Sequence, residues 1–298
     1  MIDYYSTQSS MTCPGPWAHL IEHLPNDLER LTKIVRCLIR HFADARLNGE
    51  TLATERLAEM DLRCVKKMLT QIVSLSSFPL SIARSDIDKL TGCCRDFSVL
   101  VCSILRHHKI PARIRFGFST IHIPGFHHDQ TLLEYWHAKE KRWCLVDARA
   151  DEKFIQRHQL KNFSTIDVPR NLFMSAAQAW RHCRRGDIPP QRIGSFLAGR
   201  MSGLWFIRNK LIQDIAALNK MEMLQWDCWG VMLENAQDSL VVPEQQVLWL
   251  DGVAETLLQS HDTLSEVQDL YRDSRIAVPQ LITTYSVALG KQTIDLYS

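Results

Sequence analysis

Cys94 stands at a loop-to-helix junction, between Gly92-Cys93 and Arg95-Asp96. An ordinary thiol, with a pKa of about 8.5, is mostly protonated at neutral pH, and the thiolate is the nucleophile. A helix N-terminus supplies unpaired N–H groups and about half a positive charge, and both favour thiolate. The same N–H groups can donate to an oxyanion forming on an attacked carbonyl. The chemistry implied is nucleophilic attack on an acyl group. Free cysteines are more often inert packing, so position alone leaves Cys94 open as a small buried residue. Cys93 competes with it as the reactive thiol. Asp96 suits the first turn through the helix dipole alone, and Arg95 reads equally as a solvated charge or an ion-pair partner.

The elements around the junction follow from periodicity. Phe97, Leu100, Val101, Ile104 and Leu105 fit a buried helix that Lys109-Ile110-Pro111 stops. The period then changes from 3.6 to 2: Ile114, Phe116 and Phe118 alternate with Arg113, Arg115 and Gly117, which reads as a strand. A loop with Pro124-Gly125 follows, then strands over Leu132–Trp136 and Arg142–Val146. Upstream, Leu28, Leu31, Val35, Leu38 and Phe42 form one helical stripe, capped by Asn26 or Asp27 and ended by Asn48-Gly49. A second helix starts at Thr54 and carries Leu57, Met60, Cys64, Met68 and Ile72 on one face. Ser85 with Asp88 signals a short helix ending near Gly92. Beyond residue 165, helices are expected at Leu172–Arg184, Leu204–Met221, Val247–Ser260 and Leu264–Asp273. Helices first and an antiparallel sheet afterwards predict an α+β fold, with a core over 1–165 and a helical extension over 166–298 packed on it.

The motifs resemble the transglutaminase-like superfamily, a papain-like cysteine fold, in its bacterial stand-alone branch. The residues carrying the resemblance are Gly92-Cys93-Cys94-Arg95-Asp96-Phe97, then Leu105-Arg106-His107 and Ile110–Phe118, then Glu134-Tyr135-Trp136 and Trp143–Ala148. Trp17 and Pro25 resemble the branch's helical preamble. Ala179-Trp180, Gly203–Arg208, Asp214, Leu218-Asn219-Lys220 and Trp226–Gly230 resemble its tail. The resemblance implies a triad of Cys, His and Asp on successive motifs. It places Cys94 at the nucleophile and Asp147 at the acid that orients the imidazole. Cys93 replaces the usual Asn.

One position departs. The family's His lies four residues before the Glu of Glu-Tyr-Trp, and here that residue is Gln130. Imidazole can take a thiol proton and return it near pH 7. A glutamine amide only donates and accepts hydrogen bonds. Three explanations stand. His128 shares a strand face with Gln130 and could substitute, as could His127, although two residues of strand place His128 about 6–7 Å away. The core could be a degenerate enzyme kept as a binding module. Or a thiolate held by the helix could react with an already activated acyl donor such as a thioester, which needs less leaving-group protonation.

Composition bounds the rest. The chain has 298 residues, 46% hydrophobic and 23% charged, with formal net charge +2. That suits an ordinary globular protein, and nothing in the charge calls for nucleic acid or a membrane surface. No apolar run approaches the roughly 20 residues of a membrane span. The N-terminus lacks the order of a secretory signal, and nine cysteines without a framework suit a reduced compartment, so a cytoplasmic location is expected. There is no CxxC, and the histidines show no ligand spacing, so no metal and no cofactor are expected. Trp136 and Trp143 read as core or pocket wall. By resemblance the activity is acyl transfer through a Cys94 thioester, forming or hydrolysing an amide. The donor would be a protein, peptide or carrier-bound acyl group, and the acceptor an amine or water. The other function class is a non-catalytic binding or scaffold protein on the same fold.

Overall fold

The computed structural model describes residues 2–196, 201–233, 241–259 and 263–297. In the N-terminal part, helices α1 (Ile2–Tyr5), α2 (Ala18–Ile21) and α3 (Leu28–Leu38) lead to strand β1 (Ile39–His41). Then come α4 (Phe42–Leu47), α5 (Thr54–Ala58), α6 (Val65–Leu75) and β2 (Leu90–Gly92). The central part is α7 (Cys94–His107), β3 (Ala112–Ile123), β4 (Phe126–His137), β5 (Arg142–Val146) and α8 (Glu152–Arg157). The remainder is β6 (Phe173–Ser175), α9 (Ala176–Arg185), β7 (Ile193–Ser195), β8 (Met201–Ser202) and α10 (Leu204–Leu218). It continues through β9 (Asp227–Cys228), α11 (Glu244–Gln259), α12 (Leu264–Tyr271), β10 (Leu281–Ser286) and β11 (Gly290–Asp295). The architecture is α+β, as the change of period predicts.

The main sheet runs β6-β3-β4-β7-β8, with β5 also paired to β4. The long β4 is divided between two neighbours. His127 and His128 pair in parallel with β7, while Leu133–His137 pair antiparallel with β5. One side of α7 is buried with Ile114, Phe116, Leu133 and Val146 and with the N-terminal helices. Each such large apolar side chain, fully buried, is worth about 1.5–3 kcal/mol. A second core joins Phe118 and Trp143 to Trp180, Phe206, Leu211 and Trp229. Tyr5 ties the start of the chain into it, donating from its hydroxyl to Leu218 O at 2.8 Å.

Several elements differ from the sequence expectation, among them the short helix expected from Ser85 to near Gly92, whose last residues Leu90–Gly92 form strand β2 instead. The stripe Leu28–Phe42 is broken at Ile39–His41, because that segment pairs in parallel with Leu90–Gly92 just before the nucleophile helix. The helix expected from Thr54 stops at Ala58 and restarts at Val65. The stretch 166–298 is not purely helical: β6, β7 and β8 extend the main sheet, and β9–β11 form a second sheet. Gly117 shows why β6 lies so close. A Cβ there would come within 2.3 Å of Met174 O, so only glycine fits that pairing. The end of the expected Val247–Ser260 helix falls partly outside the described residues. Among the described residues no helix is long and apolar enough to cross a membrane.

Candidate active site

Cys94 is the first residue of α7, preceded by Cys93 in extended conformation (φ −118°, ψ 178°). The Cys93 backbone N–H donates to Asp96 Oδ2 at 2.8 Å, closing the helix start from within. Gly92 has no room for a side chain: a Cβ would lie 2.9 Å from Ile39 Cγ2 and 3.0 Å from Asp96 Oδ2. The two readings left open for Arg95 resolve structurally. Its guanidinium is fully buried, pairs with Asp96 at 3.1 Å, and donates to the backbone carbonyls of Leu62, Arg63 and Glu222. The Arg-Asp of the motif therefore anchors the helix start to two other parts of the chain.

Two donors converge on the Cys94 sulfur. Gln225 Nε2 lies at 3.0 Å and the Thr131 backbone N–H at 3.5 Å. The neighbouring Cys93 thiol is the largest cause of a Cys94 pKa below the ordinary thiol value. Burial and the Asp129 carboxylate oppose the shift, while Thr131 and Gln225 add to it. Cys93 moves the other way, well above the ordinary value, through its bond to Cys94 and through burial. Of the two thiols, Cys94 is the one that the Thr131 N–H and the Gln225 amide reach.

Gln130 and Asp147 come together as the motif order implies. Gln130 Nε2 donates to Asp147 Oδ2 at 2.8 Å. Asp147 Oδ1 accepts the backbone N–H groups of Arg149 and Ala150, each at 3.1 Å. Burial raises the Asp147 pKa, and Arg149 and these donors counter it. Gln130 is itself buried, and its Oε1 has no well-formed hydrogen bond. The Gln130 side chain weakly favours the His122 imidazolium.

The histidines sit beside this pair. His128 Nδ1 contacts Asp129 O at 2.8 Å, and its ring lies 5.2 Å from that of His122. His127 is opposite Ile193 of β7, with Nδ1 buried and unpartnered. His122, on β3, also meets Phe154 and His158. Burial, with like charge from His128 and Arg149, pushes its pKa down to about 3. His41 is buried and neutral for the same reasons, its Nδ1 accepting from the Ala43 N–H. Among the described residues no histidine nitrogen hydrogen-bonds the Cys94 sulfur; the donors to it come from Thr131 and Gln225. No group of described His, Cys, Asp or Glu is placed to hold a metal ion.

Gln225, Thr131 and His122 carry no motif signal of their own. The nearest sequence signal to Gln225 is the Trp226–Gly230 run, which marks the segment and not the residue. That segment is firmly held. The Gln225 carbonyl accepts from Gln213 Nε2 at 3.2 Å and Lys210 Nζ at 3.3 Å. Lys210 also pairs with Asp129 at 3.0 Å. Glu222 is locked to Arg106 at 2.8 Å, and Asp227 to Arg63 at 2.7 Å.

Residues 76–148 match the family model of the transglutaminase-like superfamily. The segment that resembles a transglutaminase-like core thus runs from ahead of Cys94 to just past Asp147. The match does not extend to the preamble or to the later stretch that supplies Gln225. No curated protein matches the sequence. A solved structure similar to this chain is that of a candidate cysteine protease from Cytophaga hutchinsonii. It is 15% identical, with a TM-score of 0.35, over 58% of this chain and 45% of that one. This chain thus spans less than half the length of that protein.

Proposed function

We propose that the chain performs cysteine-dependent acyl transfer through a thioester at Cys94, taking an activated acyl donor. One observation carries this reading: the Cys94 sulfur sits at a helix N-terminus under converging hydrogen-bond donors, while Gln130 fills the base position on Asp147. A thiolate so held needs no base to be formed. An imidazole is needed chiefly to protonate a poor leaving group such as an amine. A thioester or ester releases its leaving group without that help, so the missing imidazole selects the donor. The donor is a protein, peptide or carrier-bound acyl group, and the acceptor is an amine or water. Neither nucleic acid nor a membrane enters the reaction, and the cytoplasm is the compartment that suits a free thiolate.

The second reading is a non-catalytic binding protein, favoured by the same Gln130. The two part on one experiment. The chain is mixed with p-nitrophenyl acetate, quenched, and digested for mass spectrometry. An acetyl group on Cys94, absent in Cys94→Ala, supports acyl transfer. A Cys94 that stays unmodified while the reagent acetylates only surface amines supports the binding protein.

A further inference from the structure

Among the described residues Gln225 is the one side-chain amide on the Cys94 sulfur, and it comes from outside the segment that matches the family. Its two Nε2 hydrogens are both directed: one toward Cys94 Sγ at 3.0 Å, the other toward Thr131 Oγ1 at 2.9 Å. Its own carbonyl is fixed by Gln213 and Lys210, both on α10. The main chain three residues earlier is fixed by Arg95 of the nucleophile helix, which donates from Nε to Glu222 O at 3.1 Å. The amide is thus positioned by the residue next to the nucleophile and by two residues of another helix. This much support exceeds what a surface glutamine requires, and it matches what an electrostatic donor requires, since such a donor works by being oriented before the reaction.

We infer that Gln225 is a catalytic residue, the side-chain donor to the oxyanion formed when Cys94 attacks the acyl carbonyl. The inference rests on the proposed acyl transfer. As the C–S bond forms, the carbonyl π pair moves to oxygen, and the negative charge leaves the sulfur. The new oxyanion lies one C–S and one C–O bond from that sulfur, so an N–H already on the sulfur needs only a small turn to reach it. The first backbone N–H groups of α7, which have no intrahelical partner, stand beside it as further donors. The oxyanion then collapses, the bond to the leaving group breaks, and the leaving group departs with the electron pair. The same N–H serves the thiolate first and the oxyanion second. The later part of the chain therefore completes the site and is not an accessory to it.

Two reagents separate this role from a structural one. Alkylation by iodoacetamide needs the thiolate and forms no oxyanion; acetylation by p-nitrophenyl acetate needs both. Rates at Cys94 are measured for the wild-type chain, Gln225→Ala, and Gln225→Met, which keeps the length of the side chain and removes the N–H. Loss of one oxyanion donor costs about 100- to 1,000-fold. Acetylation is expected to fall by that factor in both variants, while alkylation, compared at equal thiolate fraction, stays within a few-fold. Equal losses in the two reactions, or acetylation at the wild-type rate, would overturn the assignment and leave the proposed function standing. A wild-type Cys94 that alkylates and never acetylates would overturn the proposed function, and this assignment with it.

Discussion

Gln130 donates its amide N–H to Asp147 over 2.8 Å, with both side chains buried. In the family pattern this carboxylate orients an imidazole, and here it orients an amide. The pair keeps the contact to Asp147 that the family pattern gives its imidazole, and it lacks the proton carrier. Restoring the carrier is the natural probe. In Gln130→His the imidazole is expected to take the Asp147 bond and stand near Cys94. General acid–base catalysis is worth about 100- to 10,000-fold. Amide substrates, which need a protonated leaving group, should gain activity within that range, while activated esters change little. The rates on matched amide and ester substrates check this, and an unchanged ratio would mean that the amide–carboxylate pair does not occupy a catalytic position.

Cys93 is expected to matter through its proton. It gives the largest contribution to the lowered Cys94 pKa. Cys93→Ala removes the donor and should move the Cys94 alkylation profile to higher pH. Cys93→Ser replaces one donor by another and should restore most of the shift. Rates of iodoacetamide labelling against pH, mapped by peptide mass spectrometry, give both curves.

Glu134 should tie folding stability to acid pH. It is buried among Arg113 at 2.7 Å, Arg115 at 3.3 Å and Arg170 at 2.6 Å. Burial pushes its pKa up, and the three guanidinium groups outweigh that, holding it well below the usual carboxylate range. The folded pKa lies below the unfolded one, so the contribution is fully present above the unfolded value of about 4.3. It is lost as pH falls toward the folded pKa, because the unfolded chain binds the extra proton. Glu134→Gln leaves the buried Arg113 without its carboxylate, while Arg115 keeps Asp214, and should cost about 3–5 kcal/mol at neutral pH. Urea unfolding of both chains between pH 7 and 3 checks the magnitude and the direction.

His122 should act in a higher window. Its folded pKa of about 3 lies below the unfolded value of ~6.5. Its contribution is complete above pH 6.5 and declines as pH drops through the range between the two values, by at most about 1.4 kcal/mol per pH unit. His122→Gln removes that titration and should flatten the stability curve between pH 6 and 4. A variant curve as steep as the wild-type one would contradict the neutral, buried imidazole.

Much of the nucleophile side is legible in the sequence, because its signals are local. The helical spacing from Phe97 to Leu105 and the alternation from Arg113 to Phe118 each need only a short window, and they become α7 and β3. Asp27 caps α3 as expected, its Oδ1 accepting the Arg30 N–H at 2.9 Å. Strands of two or three residues, such as β6 to β8, show no period at all and depend on pairing partners far along the chain. Gln225 lies 131 residues from Cys94, and neither composition nor spacing links the two. The His122 cluster arises because β3 and β4 shift register between Ser119 and Ile123, a bulge that no residue pattern marks.

The central claim is that Cys94 is held as a reactive thiolate without a histidine. The rate of iodoacetamide labelling at Cys94, followed by mass spectrometry from pH 5 to 10, tests it most directly. The expected profile rises with a midpoint below the ordinary thiol value of about 8.5, and Cys93 stays unlabelled throughout that rise. A Cys94 that labels only with the other thiols, at or above that value, would contradict the account.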